Sequence, residues 1–198
     1  INNFMNNQNM KIVDQKGPFR VFEHERDLSV HPANAVTAYF ASEMNVRKRQ
    51  VFIELAQSGC IVQSGAMQWM LGDVNATTGV KGVGDLFGKA LRGKVTGESA
   101  IKPEYTGNGV LVLEPTYKYP ILLNTADWNG SVVLDDGLFL ACDSALSQKA
   151  VMRTNLSSAV AGGEGLFNLS LNGSGIFCIE SACPREEHIE ITLQNDAL

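Results

Sequence analysis

The amino-acid sequence predicts a mainly β protein of the sandwich or rolled type, with one or two short helices, and three observations carry that expectation. Short apolar runs recur along all 198 positions, and nearly every one closes at Gly, Asn, Asp, Pro or Ser, the punctuation of short strands joined by turns. Glycine is in excess, 19 residues against a usual share of roughly 7%. One stretch also repeats without a gap: GESAIKPEYTGNGVLVLE from Gly97 lies over GEGLFNLSLNGSGIFCIE from Gly163 at a spacing of 66.

In chain order, strands are expected at Lys11 to Val13, Phe19 to Phe22, Val51 to Leu55, Ile61 to Val62, Met67 to Leu71 and Val110 to Leu113. They continue at Ile121 to Leu123, Val132 to Leu134, Leu138 to Ala141, Leu166 to Leu171, Ile176 to Ile179 and Ile189 to Leu193. Two stretches depart from this pattern. HPANAVTAYFASE, from His31 to Glu43, puts Pro32 in a first turn and Ala35, Ala38, Tyr39 and Ser42 at helical spacing. In the glycine-rich segment from Gly79 to Gly93, Val83, Leu86, Phe87, Ala90 and Leu91 form one apolar stripe. Gly88 weakens that short amphipathic helix by about 1 kcal/mol relative to alanine.

The repeat sets the domain organisation. Gly97, Glu98, Gly107, Gly109 and Glu114 match Gly163, Glu164, Gly173, Gly175 and Glu180, and Val110, Leu111 and Leu113 face Ile176, Phe177 and Ile179. A weaker echo joins SGCIVQSGAMQWM from Ser58 to NGSVVLDDGLFLAC from Asn129 after one residue of slippage. The expectation is an extension over residues 1–50 carrying a short helix, a first β module over 51–124 decorated by the 79–93 insert, and a second module over 125–198. The two modules form one compact body. Gly107-Asn108-Gly109 and Gly173-Ser174-Gly175 are expected as hairpin turns, because glycine reaches positive φ without steric cost. Glu98 and Glu164 are read as structural or solvated carboxylates.

Composition bounds the class. With 44% hydrophobic and 19% charged residues the chain is ordinary globular, and its longest apolar run, Leu138 to Cys142, is far from the roughly 20 residues of a membrane span. The opening INNFMNNQNMK has neither a basic start nor an apolar stretch, so no secretory signal is read in it. Sixteen basic against 21 acidic residues leave a net charge of −5, which argues against nucleic acid as a partner. Arg47, Lys48 and Arg49, and the stripe around Lys89, Arg92 and Lys94, are read as solvated surface charge. Cys60, Cys142, Cys178 and Cys183 lack metal-ligand spacing and are read as reduced, mostly buried thiols, which fits a cytoplasmic protein.

No catalytic, cofactor-binding or metal-binding residue is assigned. GVKGVGDLFGK resembles a nucleotide loop but fails on spacing: Val83 stands where the first P-loop glycine belongs, and Ala90 replaces the magnesium-binding hydroxyl. His24, His31 and His188 sit without a recognisable Ser or Cys partner. Glu186, His188 and Glu190 would share one face of a strand, a face read as solvated. Trp69, Trp128, Tyr105, Tyr117 and Tyr119 could stack bases or line a groove, but core and interface packing is the commoner role for such residues.

At SGAMQWMLGDV, GKVTGESAIKPEYTGNGVLVLEP and GGEGLFNLSLNGSGIFCIES the sequence resembles the altered inheritance of mitochondria protein 24 family, long catalogued as a bacterial and archaeal domain of unknown function with a fungal mitochondrial member. The shared pieces are Gly65-Ala66-Met67, Gly97-Glu98-Ser99, Asp136 to Ala141, and the run from Gly162 to Phe167, within Val51 to Leu193. The resemblance implies two tandem modules with the fold of the tryptophan RNA-binding attenuator protein, assembled as a homotrimer, and it brings no reaction. The functional expectation is a non-enzymatic homo-oligomeric scaffold, with an unidentified protein as a possible partner. The alternative is a module that binds a small ligand or single-stranded nucleic acid at the module interface.

Overall fold

The computed structural model describes residues 6–56, 58–77, 102–152 and 167–193. Their strands are β1 (Met10–Lys16), β2 (Phe19–His24), β3 (Arg49–Ala56), β4 (Cys60–Val62), β5 (Met67–Thr77) and β6 (Glu104–Leu113). There follow β7 (Tyr119–Asn124), β8 (Ser131–Leu134), β9 (Phe139–Asp143), β10 (Ser147–Met152), β11 (Phe167–Asn172) and β12 (Ile176–Ser181). One helix, α1 (Ala35–Glu43), lies between β2 and β3, preceded by a 3-10 turn at Pro32–Asn34 whose first N–H groups include that of Ala33, bonded to His31 Nδ1. The amphipathic stripe of 79–93 and the stripe of Lys89, Arg92 and Lys94 lie outside the described residues, as do Glu98 and Glu164.

Nine strands form one sheet in the order β1-β2-β3-β6-β4-β9-β12-β7, with β5 on the other edge of β6; a second sheet runs β10-β11-β8. The large sheet curls until β7 lies beside β1, where Asp14 Oδ2 accepts the Leu122 N–H at 3.2 Å. Phe19, Val21, Ile53, Leu55, Leu111, Leu113 and Leu122 fill one core, and Leu134, Phe139, Leu146, Leu171 and Phe177 fill a second. Each such side chain stabilises the fold by about 1.5–3 kcal/mol on burial. Residues 10–24 belong to the sheet, since β2 pairs along β3 and Phe19 and Val21 enter the core.

The pairing itself repeats. Val112 lies opposite Phe52 on one side and Trp69 on the other, and Cys178, 66 positions on, lies opposite Leu122 and Ala141. Trp69 and Ala141 are 72 apart, and the same step relates Met67 to Phe139, Met70 to Cys142 and Asn75 to Ser147 through their partners. Each ladder carries an extra residue at the corresponding place, Gln68 and Leu140. Cys60 and Ile61 of β4 face Tyr105 and Glu104, as Val132 and Val133 of β8 face Leu171 and Ser170. Thus β3, β4, β5 and β6 correspond to β7, β8, β9 with β10, and β11 with β12.

The two glycine pairs are not hairpin turns. Gly107 and Gly109 sit inside β6, whose edge passes from β3 to β4 at this point, and Gly173 to Gly175 link β11 to β12 across two sheets. The positive φ is nevertheless used twice, +116° at Gly107 and +118° at Gly173. A Cβ at Gly107 would collide with the Asp73 carbonyl of the adjacent strand. Two further expectations change. Ser147–Met152 forms β10, and Ile189 to Leu193 belong to no strand, their apolar side chains lying in water. In α1 no residue is buried; Val36, Tyr39, Phe40 and, just beyond it, Met44 point outward.

Candidate functional site

The densest chemistry lies where β2 and β3 run side by side. The β2 end is acidic, Glu23, Glu25 and Asp27, the β3 entry is basic, Arg47, Lys48 and Arg49, and antiparallel pairing sets Glu23 opposite Arg49. Opposite charges in register attract. Arg49 binds Glu23 at 2.6 Å, Arg47 binds Glu23 at 3.3 Å and Glu25 at 3.0 Å, and Lys48 binds Asp27 at 2.9 Å. The basic triplet is therefore an ion-pair ladder, not solvated surface charge, because its acidic partners are distant in sequence but adjacent across the strands.

Arg49 is the buried member, its side chain 4% exposed. Burying a guanidinium is tolerable only if its donors are satisfied. Its Nη2 donates to Asn45 Oδ1 at 2.8 Å and to the Asn45 carbonyl, its Nη1 to the Arg47 carbonyl, and its plane lies 4.1 Å from the Tyr119 ring centroid. Asp27 is held below the usual carboxylate range, first by the Ser29 hydroxyl and further by Lys48 and the Tyr117 hydroxyl, against the opposing effect of burial. Tyr117 rises correspondingly, chiefly through its hydrogen bond to Asp27.

Beside this ladder, at the seam of β1 and β7, is a cavity of about 480 Å³ lined by Asp14, Lys16, Glu23, Arg49, Tyr119 and Arg185 among others. Thr116 and Arg49 exchange backbone hydrogen bonds of 2.8 and 2.7 Å, which tie the segment joining the two repeated halves to the lining residue Arg49. The lining mixes both signs of charge. It can therefore receive a small polar or zwitterionic molecule more readily than a polyanion.

The other candidates scatter. His24 bonds Gln50 at 3.2 Å and His31 caps the 3-10 turn. His188 does meet a serine: its Nε2 lies 3.0 Å from Ser181 Oγ, a contact hidden in sequence because the Arg185–Glu187 turn folds it back. Ser181 is buried and also accepts the Cys183 N–H, an arrangement that anchors the chain end. That turn likewise removes the strand on which Glu186, His188 and Glu190 were to share a face, and among the described residues no cluster of three potential ligands occurs. Cys60, Cys142 and Cys178 are buried, Cys183 is half-buried, and all four are free thiols. Tyr105 is core, Trp69 packs on the Phe22, Phe52 and Val112 cluster, and Trp128 lies against Phe177 at 6.1 Å between centroids.

No helix among the described residues is long and apolar enough to cross a membrane. A crystal structure of protein SPYM3_0169 from Streptococcus pyogenes is similar, with a TM-score of 0.51 and 24% identity, covering 87% of this chain and 63% of that one. The chain thus spans a little under two thirds of that protein, and the likeness shows the β fold. No curated protein matches. The family model described as mitochondrial biogenesis AIM24 matches residues 40–198, from inside α1 through both halves of the repeated pairing, and the chain belongs to that family.

Proposed function

We propose that the protein is a non-enzymatic, self-associating β scaffold, two copies of one module per chain, that organises other components through its assembled surface. The observation that carries this reading is the large apolar side chains left in water on ordered elements: Val36, Tyr39 and Phe40 on α1, Met70 and Leu71 on β5, and Val133 on β8. Monomeric proteins seldom expose apolar patches beyond a few hundred Å², and larger ones mark interaction sites. The repeated strand pairing supports the two-module description, the family resemblance implies three chains per assembly, and the free thiols fit a cytoplasmic location. The reading assigns no catalytic, cofactor-binding or metal-binding residue. Gel filtration with light scattering tests it: three chains per particle are expected, and a single-chain mass at micromolar concentration contradicts it.

A second reading rests on the seam cavity. There the protein would bind a small zwitterion between Lys16, Arg49 and the acids Asp14 and Glu23. Equilibrium dialysis against a mixture of free amino acids checks it, with retention lost in Lys16→Glu as the expected outcome and no retention by the wild type as the contrary one.

A further inference from the structure

Among the described residues the two halves of the repeated pairing share one strand ladder, a junction where β4 lies antiparallel to β9 with Cys60 opposite Asp143, Ile61 opposite Cys142 and Val62 opposite Ala141. The 72-residue step carries β4 onto β8 and carries the first part of β5 onto β9. Moving every residue of the junction to its counterpart defines a second one: Val132 opposite Leu71, Val133 opposite Met70 and Leu134 opposite Trp69. A single chain does not form it. Among the described residues β8 pairs with β11 alone and β5 with β6 alone, so each presents one open edge.

At five of the six positions the residue of the second place is clearly more exposed than its counterpart, the exception being Leu134, buried like Val62. At the internal junction Cys60 is 1% exposed, and Val62, Ala141 and Cys142 are 0%. Of their counterparts Met70 is 44% exposed, Val132 and Trp69 are half-buried and Leu134 is 5% exposed, while the half-buried Ile61 and Asp143 answer to Val133 at 53% and Leu71 at 57%. An apolar strand edge with unpaired backbone groups is a template for another strand.

We propose that β8 of one chain pairs antiparallel with β5 of a second copy in the register Val132–Leu71, Val133–Met70 and Leu134–Trp69. This rests on the self-association reading and names its surface. The occupant is a second copy because the contact continues, between chains, a junction already made within the chain. None of the six facing side chains is charged, so the contact buries no unpaired ion. It is head-to-tail, each chain offering β8 forward and β5 backward, the arrangement that gives a ring when the rotation between neighbours closes.

Gel filtration with light scattering on four proteins tests the pairing: the wild type, Val133→Lys, Met70→Glu and the double variant. Both single variants alter exposed side chains, and unchanged far-ultraviolet circular dichroism verifies their folds. Each should fall from the wild-type mass to that of one chain, and the double variant should regain the wild-type mass, because lysine and glutamate would then face each other across the new ladder. An assembled wild type whose mass neither single variant lowers overturns this pairing and leaves the scaffold reading standing, as does failure of the double variant to reassemble. A monomeric wild type overturns both.

Discussion

Cys142 and Met70 hold corresponding places in the strand pairing, yet Cys142 is sealed between β4 and β12 while Met70 faces water on the open edge of β5. The difference teaches that exposure on a well-paired strand can record a missing neighbour. The same backbone pattern buries an apolar row where the chain supplies the next strand and leaves it wet where the chain supplies none.

The largest test of the comparison introduces a charge at each place. In a Val133→Lys background, expected to keep the chains apart, Cys142→Asp should lower unfolding stability by about 3–5 kcal/mol because the carboxylate is stripped of water, a cost that the Gln148 amide offsets only in part. Met70→Asp in the same background should shift urea unfolding by no more than about 0.5 kcal/mol. Equal losses would mean that the two places are not environmentally distinct.

The paired glycines give the next contrast. Gly107→Ala should cost about 3 kcal/mol, from positive φ together with collision against the Asp73 carbonyl, and Gly173→Ala about 1–2 kcal/mol, since its nearest neighbours stand 3.5 Å from the added methyl. Thermal unfolding of the two variants ranks them. A reversed order would place the tight strand crossing in the second half rather than the first.

Thiol chemistry sharpens the sealed side of the comparison. Burial pushes Cys60 and Cys142 up to about 12 and raises Cys178 as well, so at pH 8 the thiolate fraction at the first two is about one in ten thousand. Iodoacetamide should modify Cys183 in the native protein and the other three only after unfolding, as peptide mass spectrometry would read. Rapid labelling of Cys142 would show the internal junction opening.

The smallest effects come from pH. Asp27 has a lowered pKa in the folded protein, so its contribution is complete above the ordinary aspartate value of about 3.9 and is lost as the pH falls below it towards the folded value. Asp27→Asn should flatten that acid limb. Asp143, at the internal junction, is shifted the other way by burial against the bond it accepts from the Ile176 N–H. Raised above its unfolded value, it subtracts stability as the pH climbs from about 4 through the folded value. Asp143→Asn, which keeps an oxygen acceptor, should therefore slightly raise the thermal midpoint at pH 7.

Apolar runs closed by turn residues made β2, β3, β7 and β12 legible, because those strands are buried on their core faces and need uninterrupted hydrophobic side chains. Ser147–Met152 escaped notice because it edges a small sheet and its SQKAVM sequence lacks an apolar run. Ile189, Ile191 and Leu193 alternate as a strand would, but periodicity cannot supply a neighbour to pair with. The matched glycines were visible and their role was not, since one sequence spacing suits both a hairpin and a strand crossing. The Arg49 ladder was hidden for another reason: a list of charges does not show that Glu23 lies across the sheet from them. The seam cavity depends on the closing of β7 against β1, a tertiary event without a local signal.

The equivalence of the two junctions is tested most directly by a disulfide across the second. Val133→Cys with Met70→Cys, in a Cys183→Ser background, places thiols on directly opposed residues of antiparallel strands, within the roughly 4.4–6.8 Å Cα spacing a disulfide accepts. Mild oxidation should link chain to chain, seen as covalent oligomers on a non-reducing gel that either single-cysteine variant fails to give. Material that stays at the mass of one chain under the same oxidation would contradict the pairing of β8 with β5.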